Sequence, residues 1–197
     1  MARAMTLSGE TVVPATLTDH ADIRAWGPNE NPTLRLVRAI CIACAAEPAL
    51  NVGFDGERRA PHAGVDLAIA VDTPDGLFAP VLRQVDKVPA AQLASKIAEL
   101  MVAVGNRTIA REALKGATIT LSNFGMIGGE HAALVISPPQ VAILGAGRIH
   151  DAVLAIEGTP AVRRVLPLSL TFDHRVVTGG EAARFMQAVR ADLTRAD

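Results

Sequence analysis

Short apolar, β-branched runs alternate along this chain with stretches whose apolar residues recur at helical spacing, and that alternation restricts its fold more than any other feature. Thr11 to Thr18, Leu50 to Phe54, Val65 to Val71, Thr118 to Ser122, Val141 to Leu144, Val153 to Ile156 and Val165 to Phe172 read as strands. Val65 to Val71 is apolar apart from Asp66, as a strand buried on both faces over Leu67 to Val71 should be. Leu34, Val37, Ile40, Cys41 and Cys44 fall on one helical stripe. Pro89 opens a second helix, with Leu93, Ile97, Leu100, Met101 and Val104 on one side. A last helix, begun at Gly179 and Gly180, turns Ala182, Phe185, Met186, Val189 and Leu193 inward. Ala21 to Pro32 is a polar turn region that holds the single Trp. With no repeat and no interior linker, the pattern predicts one α/β domain over 1-197, a mixed sheet with flanking helices.

Composition removes several classes of function. At 197 residues and 50% hydrophobic content the chain can bury a substantial core. Its formal charge is −1 and its 19 basic residues are scattered, so the electrostatic footprint of a nucleic-acid or membrane-surface binder is missing. The absence of Tyr and an aromatic content of 3% take away a base-stacking platform as well. No apolar run approaches the roughly 20 residues that cross a bilayer, and MARAMTLSGE lacks a secretory apolar segment. The expectation is a soluble, cytoplasmic protein with no nucleic-acid or membrane partner. Cys41 and Cys44 form a CxxC, but inside a helix rather than at its N-terminus, which reads as a pair of buried thiols. The five histidines show no ligand spacing, so no metal is expected.

Three segments carry possible chemistry. In LSLTFDHRVVTGG, His174 stands at a strand-to-helix corner between Asp173 and Arg175, whose side chains would fix its tautomer and orientation for general-base work. The alternative is a corner histidine that satisfies local backbone groups. In GATITLSNFGMIGG a strand ends at Ser122 and Asn123 and runs into glycines that permit a tight turn or a close approach. The Ser122 hydroxyl is placed to donate to a developing oxyanion, or merely to bond its own loop. GLFAPVL, Gly76 to Leu82, reads only as turn and strand. GAGR at Gly145 to Arg148 lacks the third glycine and the helix of a dinucleotide site. Asp72 and Asp75 sit in a Pro/Gly turn and read as solvated.

Taken in order, GLFAPVL, LKGATITLSNFGMIGG, PPQVAILGAGRI and LPLSLTFDHRVVTGGEAARF closely resemble the catalytic domain of the dihydrolipoamide acyltransferases, core components of 2-oxoacid dehydrogenase complexes. The likeness runs from ARAM, Ala2 to Met5, through the last helix. It implies a chloramphenicol-acetyltransferase-like fold, a homotrimer that can join into a larger cage, active sites between subunits, and acyl transfer between dihydrolipoamide and coenzyme A. His174 takes the place of the family's base and Ser122 that of its oxyanion donor, presented to a neighbour's histidine. A thiol of pKa about 8.5 is mostly protonated at neutral pH, and an imidazole that titrates near 6.5 is a suitable acceptor for its proton. Coenzyme A is a substrate. The lipoate rides on a lipoyl domain that is separate from or missing in this chain, and the implied partners are decarboxylase and dihydrolipoamide dehydrogenase components.

Three departures accompany the resemblance. Thr178 stands four after the histidine, where Asp is common in the family, and is carried as a third catalytic position; Ala15 follows Pro14 where a histidine is frequent; and Ala21 to Pro32 is shorter than usual. The chain also reads as an excised core of a longer polypeptide, without lipoyl or subunit-binding domains. Two alternatives to an active lipoamide enzyme follow: a catalytically impaired scaffold of a multienzyme complex, and a related small-molecule O-acetyltransferase.

Overall fold

A computed structural model describes residues 2–74 and 76–196, with side chains from residue 5 onward. Among the described residues four α-helices, α1 (Ala2–Thr11), α2 (Pro32–Ala46), α3 (Ala90–Gly105) and α4 (Gly179–Leu193), accompany ten strands. The strands are β1 (Pro14–Asp22), β2 (Val52–Phe54), β3 (Arg59–Pro61), β4 (Leu67–Thr73), β5 (Gly76–Phe78), β6 (Val81–Leu82), β7 (Ile119–Asn123), β8 (Ala142–Ala146), β9 (His150–Ile156) and β10 (Thr159–Asp173). The main sheet runs β1-β10-β8-β7-β4-β5, with β6 beside β4, β9 beside β10, and β2 and β3 paired apart from it. Neighbours β4, β7 and β8 are parallel and the other pairs antiparallel, which makes the sheet mixed, as expected. No helix among the described residues is long and apolar enough to cross a membrane.

The apolar stripes expected on the first and last of the three sequence-read helices are both buried, and they meet each other. Leu36, Val37, Ile40 and Cys44 of α2 and Ala182, Phe185, Met186, Val189 and Leu193 of α4 are buried together with Leu168, Leu170 and Phe172 of the sheet. Cys44 is buried and Cys41 is partly so. Burial pushes both thiols up, Cys41 to about 12 with help from the nearby Asp86 charge, so neither is a thiolate at neutral pH.

Element boundaries near the N-terminus differ from expectation. Thr11 ends α1, its hydroxyl donating to Leu7 O at 2.6 Å, and the strand expected over Thr11 to Thr18 is Pro14–Asp22. Its limits are set by pairing with β10, from Pro14 opposite Asp173 to Asp22 opposite Val165, and a distant partner leaves no mark on local sequence. The supposed turn region from Ala21 is therefore shorter. Ile23 is buried, and Asn31 caps α2 by accepting from the N–H of Thr33 and Leu34, with Pro32 at the first helical position. Asp72 is exposed; Asp75 lies outside the described residues.

Candidate active site

Ser122 lies in β7 with Ala70 of β4 on one side and Gly145 of β8 on the other; Gly145 in turn faces Ser169 of β10. Partners in register share a sheet face, so Ala70, Ser122, Gly145 and Ser169 form one row. Thr120, Ile143 and Thr171 continue that face in the next row. The buried hydroxyls of Ser169 and Thr171 accept from the N–H groups of Ala132 and Leu134, at 3.1 and 3.0 Å, and hold residues 132–134 across the sheet. Between that segment, the sheet and residues 114–117 lies a cavity of about 670 Å³ with Ser122 in its wall. The Ser122 hydroxyl has no hydrogen-bond partner among the described residues.

The glycines around Ser122 permit close approach. A Cβ on Gly125 would stand 2.3 Å from Gly147 O, and one on Gly147 would stand 2.1 Å from Glu130 O. Only glycine lets these backbones touch. The GAGR run is thus a packing element, and strand β9, not a helix, follows it.

His174 sits beyond the end of β10, exposed, with its N–H donating to Val13 O at 2.8 Å. Its ring lies 5.5 Å from that of Phe172, inclined at 57°, and the ring nitrogens have no hydrogen-bond partner among the described residues. Asp173 and Arg175 do not hold it, contrary to expectation. The chain turns directly after Asp173, where β10 ends, with the Val176 and Val177 N–H groups donating to Asp173 O, and this turn folds Arg175 back onto the Asp173 carboxylate. Arg175 Nη2 is 2.6 Å from Asp173 Oδ2, while its Nε and its backbone N–H donate to Oδ1. Burial pushes the Asp173 carboxyl up, but the bonds from Arg175 and the Val13 N–H outweigh it and hold it below the ordinary value. Arg175 also lies over the Phe54 ring and bonds Thr11 O.

Within one chain Ser122 and His174 are not brought together. Ser122 is level with Ser169, and β10 continues four residues beyond that level to Asp173, roughly 13 Å along the strand, before the turn that carries His174. Phe172, beside the His174 ring, belongs to the helix-covered face, opposite the Ser122 row. His174 lines neither the Ser122 cavity nor the second cavity of about 430 Å³ formed by Asp173, Arg175 and Phe54, although the two share Pro138, Pro139 and Gln140. Thr178 is the N-cap of α4: its hydroxyl donates to Glu181 Oε2 and accepts from the Glu181 N–H, closing a capping box.

The periodicity reading missed two supports. Arg83 donates to Asp66 Oδ2 and to the carbonyls of Glu112, Lys115 and Gly116, fastening the turn that bounds the Ser122 cavity. The Thr120 hydroxyl is 2.6 Å from Gln140 Oε1 and ties the sheet to the wall between the cavities. Neither pairing leaves a local signal, since the partners are far apart in sequence. Among the described residues no group of three or more His, Cys, Asp or Glu side chains could hold a metal ion.

The fold, a mixed sheet with helices packed against it, is shared with chloramphenicol acetyltransferase, with which the chain aligns at a TM-score of 0.56 and 16% identity over 97% of this chain and 94% of that one. The family described as 2-oxoacid dehydrogenases acyltransferase (catalytic domain) matches residues 1–196, and the chain belongs to it. The lipoamide acyltransferase component of the branched-chain alpha-keto acid dehydrogenase complex of Pseudomonas putida is 40% identical over 160 residues, which is 80% of this chain and 38% of that protein. The dihydrolipoamide acetyltransferase of Azotobacter vinelandii superposes with a TM-score of 0.91 at 31% identity, covering 98% of this chain and 86% of that one. The chain spans about two fifths of the length of the first curated relatives it matches.

Proposed function

We propose that this protein transfers an acyl group between dihydrolipoamide and coenzyme A, with His174 of one protomer acting on a substrate bound against Ser122 of another. One observation carries the reading: a serine hydroxyl in a cavity and an exposed histidine just beyond the end of β10, each without a hydrogen-bond partner among the described residues and apart from the other within one chain. The Azotobacter vinelandii enzyme, whose serine, histidine and asparagine have been investigated for their part in catalysis, has the same intervals between them as separate Ser122, His174 and Thr178. Its third position is Asn, so an uncharged residue there is compatible with activity, and Thr178 need not supply a carboxylate. Thr178 instead sets the corner that carries His174, through the cap of α4.

The chemistry balances without a further reagent. His174 takes the proton from the attacking thiol, and the new sulfur–carbon bond forms at the thioester carbonyl. The tetrahedral oxyanion accepts from the Ser122 hydroxyl; on collapse the old carbon–sulfur bond breaks and the departing thiolate recovers the proton from the imidazolium. A thioester is exchanged for a thioester, so positioning supplies most of the acceleration. Coenzyme A is a substrate, and the lipoyl arm is presented by a separate domain. The assembly is a trimer or a cage of trimers, in company with decarboxylase and dihydrolipoamide dehydrogenase components. The exposure of Met126 (91%) and Ile127 (74%) in the loop after Ser122 supports an interface there.

The test is acyl transfer from an acyl-CoA to free dihydrolipoamide. His174→Ala should lose most of the rate, and Ser122→Ala roughly a hundredfold or more in kcat. Full turnover by His174→Ala would remove the base, and failure of the wild-type protein with every donor would favour a scaffold.

A further inference from the structure

We infer that the cavity beside Ser122 selects an uncharged, branched aliphatic acyl group larger than acetyl, and that Ala70 sets this preference; the inference rests on the acyl-transfer reading above. Ser122 has two flanking neighbours in its row of the sheet, and they differ in the space they leave. On the Gly145 side a single added carbon would fall 2.6 Å from Leu134 Cδ1 and 2.9 Å from Phe124 Cε1, so that side is already filled. On the other side stands Ala70, a lone methyl, and Ala68 below it is no larger. Ala79 and Ala117 line the same cavity. Room for the acyl chain of a thioester held at Ser122 therefore opens over the Ala68 and Ala70 methyls of β4, with Leu77, Leu114 and Val135 among the residues that complete an apolar lining.

The polar inventory of the wall argues against a carboxylate-bearing acyl group. The Thr120 hydroxyl is engaged with Gln140, the Ser122 hydroxyl faces the oxyanion in the proposed reaction, and Ser137, the remaining serine of the lining, is exposed. Lys115 is the one ionisable side chain among the described residues that line the cavity, and it is exposed. A buried carboxylate without a fixed, desolvated partner is strongly disfavoured, whereas aliphatic carbons gain by leaving water. A methylene in such a pocket typically discriminates about 10- to 200-fold.

The experiment compares kcat/KM for acetyl-CoA, isobutyryl-CoA and succinyl-CoA with dihydrolipoamide, in the wild-type chain and in Ala70→Gly, Ala70→Val and Ala70→Leu. Isobutyryl-CoA should be preferred over acetyl-CoA by roughly tenfold or more and over succinyl-CoA by more still. The isobutyryl-to-acetyl ratio should fall in order of side-chain size, by roughly tenfold or more from Gly to Leu. A ratio cancels any loss of folded enzyme, so a merely destabilised variant cannot mimic the ordered series. A wild-type preference for acetyl- or succinyl-CoA, or a flat series, overturns the inference. If transfer that depends on His174 is nonetheless present, the acyltransferase reading survives that result. Absence of transfer from all three donors overturns both.

Discussion

At Asp173 burial and hydrogen bonding pull one carboxyl in opposite directions, and the hydrogen bonds win. The folded protein holds this group below its ordinary value of 3.8, so its contribution to stability is complete above that value and is lost as pH falls through the lower, folded one. The Asp173→Asn variant should therefore be less stable than wild type near neutrality, with the gap narrowing as the pH drops below about 4. Thermal unfolding midpoints of both proteins across an acid series read this directly; a gap that widens in acid would show that the carboxylate is not held by Arg175. The residue types at the corner were legible in the sequence. Their pairing was misread because flanking residues look like partners on paper, while the turn that follows Asp173 brings Arg175 back onto that carboxylate and leaves the His174 ring beside Phe172.

Helix α4 shows the same division at the level of an element. Its stripe from Ala182 to Leu193 and the opening glycines were plain from periodicity. What holds its far end was not. Arg35, 4% exposed on α2, donates to the carbonyls of Asp192, Arg195 and Ala196, and its guanidinium lies 5.2 Å from the centre of the Trp26 ring. The Trp26 indole N–H donates to Leu193 O at 2.6 Å. A cation and an indole from the start of the chain thus bond carbonyls at and just beyond the C-terminus of α4, where the helix dipole also favours positive charge. Arg35→Ala removes the guanidinium's hydrogen bonds and should cost about 3 kcal/mol, measured by urea unfolding. A loss below about 0.5 kcal/mol would mean the clamp is decorative. No periodicity marks such an arginine, since its partners lie more than 150 residues away.

For the whole molecule, the separation of Ser122 and His174 leads to a test that neither residue alone offers. If each site draws its serine and its histidine from different protomers, His174→Ala and Ser122→Ala chains are inactive for different reasons. Unfolded together and refolded, they should form mixed assemblies with intact sites and regain a measurable part of the wild-type rate; light scattering should give the mass of a trimer or a multiple of one. No regain in mixed assemblies of that mass would place both groups in one protomer's site. From its sequence alone this chain was bound to form a mixed α/β domain with Ser122 at a strand end and His174 at a strand-to-helix corner, because periodicity, capping residues and glycines act over a few positions. Tertiary structure alone decided that β1 begins at Pro14, that Asp173 serves Arg175, and that Ser122 faces away from the ring of His174. Those outcomes depend on register and packing between segments far apart in the chain, where no local pattern of residues carries the information.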